Sequence, residues 1–252
     1  MAFASNGALR IHHEVLGGDE RLPPLVLVFG FGMSLWDWVD LGYVARLEGA
    51  FRVIAVEPRG HGESGAPNHA EDYDPKRMAS DVTAVMDHMG VEKAVVWGYS
   101  LGAKIVLALA SRHPDRLAGL VLGGFEFASE VRREDDLVLA TLRKGGEAWR
   151  ALWGQVMATP PAMAARLAQV NTEALSALRE AEGQWESLAG IPATLTAPCL
   201  LYAGERCFGR EVVKEAVTSI AGSRYVERAG LSHFEVISDA AWICDEVKRS
   251  FA

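Results

Sequence analysis

The sequence predicts an α/β fold, a mostly parallel sheet with helices on both faces, interrupted once by a purely helical stretch. Three observations predict it. Apolar, β-branched runs alternate with helical patterns along most of the chain, the order that produces parallel strands joined by crossover helices. The runs are continuous rather than alternating, as in Leu25-Val26-Leu27-Val28-Phe29, which suits strands buried on both faces. From 129 to 196 no strand pattern occurs, while helical spacing continues.

The elements follow in order. Leu9 to Val15 reads as an edge strand ended by Gly17-Gly18, and Leu25 to Phe29 and Phe51 to Val56 as buried strands. From Pro75 to Met89 the residues Met78, Val82, Val85, Met86 and Met89 share one helical face. Val91 to Tyr99 and Leu117 to Leu122 are further strands, with an Ala/Leu-rich helix, Ala103 to Arg112, between them. In the helical stretch, Trp149, Leu152, Trp153, Val156 and Met157 fall at helical spacing, as do Met163, Leu167 and Val170 after the start signal Thr159-Pro160-Pro161. Trp185 and Leu188 follow, and about four helices are expected. Ala197 to Ala203 is a strand, Glu211 to Ile220 a helix, Arg224 to Val226 a short strand, and a last helix runs to about Ser250. The expected division is a core of 1–128 and 197–252 with an insertion at 129–196.

Composition narrows the function. Half of the 252 residues are hydrophobic, enough for a large core. A net charge of −8 argues against binding nucleic acid or an anionic membrane. The cysteines Cys199, Cys207 and Cys244 show neither metal-ligand spacing nor a disulfide framework. The first residues lack a secretory signal pattern, and no stretch approaches the roughly 18 apolar residues of a spanning helix. These features point to a soluble, cytoplasmic protein with a small-molecule substrate; they leave its oligomeric state open.

Gly98-Tyr99-Ser100-Leu101-Gly102 carries the chemistry. It reads G-x-S-x-G between a predicted strand and a predicted helix, the context of a nucleophile elbow. A turn this tight has no room for side chains at 98 and 102. It pushes the Ser100 hydroxyl into a cleft and aims the first helical amides at any anion forming there. Ser100 needs a base, and His233 in Gly230-Leu231-Ser232-His233 is the candidate. The other histidines are expected at surface or turn positions: His12 and His13 on the edge strand, His61 in a Gly-rich turn near the cleft, His69 in a polar loop, His88 and His113 at helix ends. Gly60-His61-Gly62-Glu63-Ser64-Gly65 lacks the Lys-Ser/Thr ending of a phosphate loop and reads as a tight turn braced by Arg59. Trp36 and Tyr99 are possible pocket residues, and Asp81 is expected on a solvated helix face.

Together these segments resemble the α/β-hydrolase superfamily, in its small esterase, lactonase and C–C-hydrolase branch with a helical lid after strand six. The resemblance rests on Phe29-Gly30-Phe31-Gly32, on Glu57-Pro58-Arg59-Gly60-His61-Gly62-Glu63-Ser64-Gly65, on the elbow, on His113-Pro114-Asp115-Arg116 and on Gly230-Leu231-Ser232-His233, and it spans nearly the whole chain. It implies an eight-stranded sheet, a serine hydrolase mechanism with His233 as base, an oxyanion hole formed by the amides of Phe31 and Leu101, and no cofactor or metal. The implied substrate is a small, largely apolar ester, thioester or lactone; the alternatives are C–C bond hydrolysis of a β-diketone-like compound, or a slow or non-enzymatic ligand receptor on the same fold. Two positions depart from the pattern. Phe29 stands where relatives carry the histidine that braces the oxyanion loop. Cys207 stands where they place the triad acid, three residues beyond Gly204. The acid is then expected to be Glu126, after strand six; Glu205, or no carboxylate at all, are the other readings.

Overall fold

A computed structural model describes residues 1–128 and 135–252. Its eight strands are β1 (Ala2–Asn6), β2 (Leu9–Gly17), β3 (Pro24–Val28), β4 (Arg52–Val56), β5 (Ala94–Tyr99), β6 (Leu117–Gly123), β7 (Cys199–Arg206) and β8 (Arg224–Ser232). They form one sheet in the order β1-β2-β4-β3-β5-β6-β7-β8. The two N-terminal strands pair antiparallel, β2 also antiparallel to β4, and every pairing from β4 to β8 is parallel. Strands β3 and β5, at the centre, are almost wholly buried, which is why their apolar runs are unbroken.

The helices, in chain order, are α1 (Asp37–Asp40), α2 (Val44–Leu47), α3 (Pro75–His88), α4 (Leu101–Arg112), α5 (Leu137–Leu142), α6 (Gly146–Val156), α7 (Pro161–Ala168), α8 (Thr172–Glu182), α9 (Arg210–Ser219) and α10 (Ala240–Phe251). Local chemistry starts them: Asp74 accepts from the Lys76 amide ahead of Pro75 in α3, and Asn171 accepts from the Ala174 amide in α8. Among the described residues, α5 to α8 and one short 3-10 turn are the only regular elements between β6 and β7. The expected start of the insertion at Ser129 lies outside the described residues. No described helix is long and apolar enough to cross a membrane.

The sheet edges hold what the sequence pattern did not reveal. Strand β1 was not anticipated; it is short and pairs in register with β2 from Ala2 opposite His13 to Asn6 opposite Leu9. Strand β8 runs six residues past its expected end at Val226, to Ser232. It is a half-exposed edge rich in charge, with Glu227 paired to Arg210 and Arg228 to Asp239, and so it lacks an apolar run. This extension delivers His233 to the carboxyl end of the sheet, where parallel α/β folds place their sites.

Three buried polar residues correct expectations. Asp81 is fully buried on α3, not solvated: its carboxylate takes the Arg59 guanidinium through Nε and Nη2, both at 2.8 Å, and the Asn6 amide at 2.7 Å. Arg59 also donates to the carbonyls of Asp72 and Arg77, so its side chain ties the start of the Gly-rich turn to α3 and the segment before it. His12 and His13 are fully buried: His12 meets Glu57 at 2.7 Å on one face of the strand, and His13 packs against His88 of α3 with ring centroids 5.2 Å apart.

Candidate active site

The elbow between β5 and α4 is built by steric exclusion. Ser100 adopts φ 55°, ψ −117°, the one positive φ at a non-glycine residue among those described. Such a conformation costs on the order of 1–3 kcal/mol and persists only where the surroundings impose it. They do so here. A Cβ at Gly98 would lie 2.4 Å from the Gly102 carbonyl oxygen, and one at Gly102 would lie 2.1 Å from the Val28 carbonyl oxygen. The Ser100 amide is pinned to the Gly123 carbonyl at 2.8 Å, tying the turn to β6.

The loop after β3 faces the elbow across Gly30, where a Cβ would touch Ser100 Cβ at 3.3 Å. Among the described residues neither the Phe31 nor the Leu101 amide has an acceptor within the protein, and both residues line the cavity that contains Ser100. Phe29, at the position of the usual bracing histidine, stacks on Trp38 with ring centroids 3.9 Å apart. The hydrogen bonds come from elsewhere. His61 Nε2 accepts the Gly32 amide at 3.0 Å, with Nδ1 set 3.2 Å from the Arg59 carbonyl. Burial lowers the pKa of His61 and favours the neutral ring that this acceptor role needs. Glu57 accepts from the Ser34 hydroxyl at 2.8 Å and the Leu35 amide at 3.1 Å, and is held in turn by His12 Nδ1 at 2.7 Å. His61 therefore sits in the Gly-rich turn as expected, and from there it is a buried strut of the loop.

His233 follows β8 and places Nε2 3.2 Å from Ser100 Oγ. Its other nitrogen, Nδ1, faces Cys207 Sγ at 3.3 Å. The position of a triad acid is therefore filled by a thiol. Glu126, expected there, lines the same cavity, but the group at Nδ1 is the Cys207 thiol, which follows β7; the Glu126 charge is felt at Cys207, where after burial it helps raise the thiol pKa to about 11. Glu205 points elsewhere, accepting the Gly230 amide at 2.6 Å. The imidazole is enclosed by rings: Phe208 stacks at 4.2 Å, and Tyr99 and Phe234 lie at 5.1 Å. The Tyr99 hydroxyl donates to the His233 carbonyl, fixing the loop. Burial, reinforced by the Lys104 cation, pushes the His233 pKa down to about 3.

The cavity around Ser100 has a volume of about 410 Å³. Phe31, Phe125, Trp149, Trp153, Phe208 and Phe234 give it an apolar wall, Trp149 and Trp153 coming from α6. One end is charged. Lys104, one turn after Ser100 on α4, pairs with Glu182 on α8 at 2.7 Å; Glu182 also holds Arg179 at 2.6 Å, and Arg179 reaches Asp136 at 2.7 Å. Sequence reasoning passed over this relay. Its one visible sign is a lysine inside an otherwise apolar helix, Leu101-Gly102-Ala103-Lys104-Ile105-Val106-Leu107. Tyr99 lines the cavity as anticipated. Trp36 does not: it is 41% exposed and borders a separate cavity, because it sits on the outer side of the loop that Met33 closes.

This elbow, loop and sheet define a protein class. Residues 23–182 match the sequence model of the alpha/beta hydrolase fold family, and the chain belongs to that family. Its structure is similar to the enol-lactonase from Burkholderia xenovorans, with a TM-score of 0.83 and 26% identity over 98% of each chain. An esterase from Exiguobacterium antarcticum shares the fold at a TM-score of 0.81 and 20% identity, over 97% of each chain. By sequence it is 38% identical over 104 residues to epoxide hydrolase B of Mycobacterium tuberculosis, a match spanning 41% of this chain and 29% of that protein. The chain thus spans less than a third of that curated relative.

Proposed function

We propose that the protein is a serine hydrolase acting on a small, largely apolar ester, thioester or lactone. The observation that carries this reading is the 3.2 Å approach of Ser100 Oγ to His233 Nε2 on a strained elbow, at the wall of an apolar cavity. Ser100 Oγ attacks the acyl carbon while its proton passes to His233 Nε2. The amides of Phe31 and Leu101 receive the oxyanion. The C–O or C–S bond breaks, and the leaving group takes the proton from His233. Water then repeats the sequence on the acyl-enzyme, with His233 as base, and Ser100 is regenerated. The helices α5 to α8 act as the cap over this site, with Trp149 and Trp153 as its apolar underside.

The sequence needs the tautomer with Nδ1 protonated, so that the Nε2 lone pair faces Ser100. A thiol is a weak acceptor and a weak donor, so Cys207 holds that tautomer weakly, and it offers no charge to the imidazolium. The proposed enzyme is consequently a slow one. The enol-lactonase likeness supports an acyl substrate. The epoxide hydrolase likeness is not carried over to substrate, because opening an epoxide through an ester intermediate needs a carboxylate nucleophile, and this chain has a hydroxyl at position 100. The thiol at Nδ1 favours one second reading, a ligand receptor with vestigial turnover. A fluorophosphonate probe separates them: labelling of Ser100, lost in Ser100→Ala and weakened in His233→Ala, is the expected result, and absence of labelling in folded protein contradicts the hydrolase reading.

A further inference from the structure

A second cavity of about 200 Å³ lies on the far side of the oxyanion loop. Its walls are the loop and the Gly-rich turn on one side, and the end of α7 with the start of α8 on the other. Between this cavity and the one around Ser100, Met33 is the single residue that lines both. Met33 is 4% exposed, and its Sδ lies 3.7 Å from where a Gly30 Cβ would stand, beside the point that also touches Ser100 Cβ. Met33 therefore borders both cavities, next to the reacting centre. Methionine is unbranched, with three rotatable bonds, and fills irregular gaps adaptably.

The two cavities differ in chemistry. The one around Ser100 is walled mainly by aromatic rings. The second carries Asp37, Glu57, Gln169 and Asn171 among its apolar residues. Asp37 and Asp40 share Arg166 through Nη2, which offsets its charge, while the Arg166 Nε is buried without a partner among the described residues and is left to donate to an acceptor atom; Glu57 is paired with His12. Burial pushes the Asp37 pKa up to about 6, against the pull of Arg166. An uncharged group able to hydrogen-bond suits such a wall.

We propose that Met33 is the specificity gate of the site: it closes the aromatic cavity against the second, polar one, and its rotation admits esters whose chain ends in an uncharged hydrogen-bonding group. The inference rests on the hydrolase reading and names its substrate class. Short acyl groups lie wholly within the aromatic cavity. A longer chain has to pass the Met33 side chain, and its hydroxyl, ether or amide end then meets the polar wall.

The test compares kcat/KM for p-nitrophenyl acetate, butyrate, decanoate and 10-hydroxydecanoate in the wild-type protein, Met33→Ala and Met33→Phe. Met33→Ala is expected to raise the ratio of 10-hydroxydecanoate to acetate about tenfold or more, the scale of a pocket change of a few methylenes, and to raise decanoate less. Met33→Phe is expected to lower the same ratio, which keeps the test intact if the alanine variant does not fold. An unchanged length profile in both variants overturns the gate. Calorimetric binding of 11-hydroxyundecyl methyl ketone, which has no bond to hydrolyse, reads the gate without catalysis. Tighter binding in Met33→Ala supports it even if no ester is turned over, an outcome that would defeat the hydrolase reading alone; equal binding in all three proteins overturns it.

Discussion

The two halves of the site are held by different forces. The serine half, comprising the elbow and the loop after β3, is fixed by backbone sterics and a hydrogen-bond web: glycines at 98 and 102 that admit no Cβ, the Gly32 amide on His61, and the Ser34 hydroxyl and Leu35 amide on Glu57. The histidine half depends on charge, and there the charge is missing. His233 meets a thiol at Nδ1, and its nearest influential ion is the Lys104 cation, which opposes protonation. The comparison teaches that one part of a catalytic device can be kept intact while another is weakened. On the proposed mechanism, oxyanion stabilisation is retained and general-base strength is not.

The largest expected effect repairs the weaker half. Cys207→Asp puts a carboxylate at His233 Nδ1 and should raise kcat by up to about 10⁴, the loss seen when a serine protease has its triad aspartate corrupted. Steady-state turnover of a p-nitrophenyl ester checks it. Next is damage to the stronger half. In Gly32→Ala a methyl would meet Trp149 Cζ2 at 2.7 Å, at a backbone φ of +69°. The loop must shift, and kcat should fall about 10²–10³-fold, as for loss of one oxyanion donor. Ser100→Ala is more informative than its size. Removing the serine alone costs subtilisin about 2 × 10⁶ in kcat and removing its aspartate alone about 3 × 10⁴. A site already lacking the acid should therefore lose only about 10² on Ser100→Ala, against about 10⁶ in the Cys207→Asp background.

The smallest effect on turnover concerns the Glu57–His12 pair behind the loop. Burial opposes both charges. The hydrogen bonds to Glu57 nevertheless hold its carboxyl below the usual range, and Glu57 holds the His12 pKa above its own. The Glu57 contribution is present above the unfolded pKa, about 4.3, and is lost as pH falls through the folded value. The His12 contribution is full below its unfolded pKa, about 6.5, and is lost as pH rises through the folded value. Glu57→Gln should cost about 3–5 kcal/mol, as for a buried pair losing one partner. Denaturant unfolding should also show less decline in stability above pH 6.5 in this variant than in the wild-type protein.

The serine half was legible because its determinants are local. A continuous apolar run, two glycines at fixed offsets and an apolar helix are consequences of burial and tight turns, and they stand together in the chain. The histidine half was legible only as a departure, with Cys207 at the acid position. That Cys207 itself would face Nδ1 is a tertiary fact, since β7 and the end of β8 must first pair to bring 207 beside 233. Distant polar pairs escaped for the same reason. Lys104 and Glu182 are 78 positions apart, Arg59 and Asp81 sit on different elements, and no periodicity reports either pairing. Strand β1 and the second half of β8 escaped because these edge segments lack the long apolar run that marks a central strand.

The pH profile of kcat/KM for the wild-type protein and Cys207→Asp tests the central claim most directly, because it reads the protonation of His233 in the free enzyme. Burial and the Lys104 cation hold the His233 pKa far below its usual value, so the wild-type profile should show no acid limb between pH 5 and 8. The aspartate variant should be faster at neutral pH and should gain an acid limb within that range, as the carboxylate raises the histidine pKa. A wild-type acid limb near pH 6.5, or a folded Cys207→Asp protein no faster than wild type, would contradict the account.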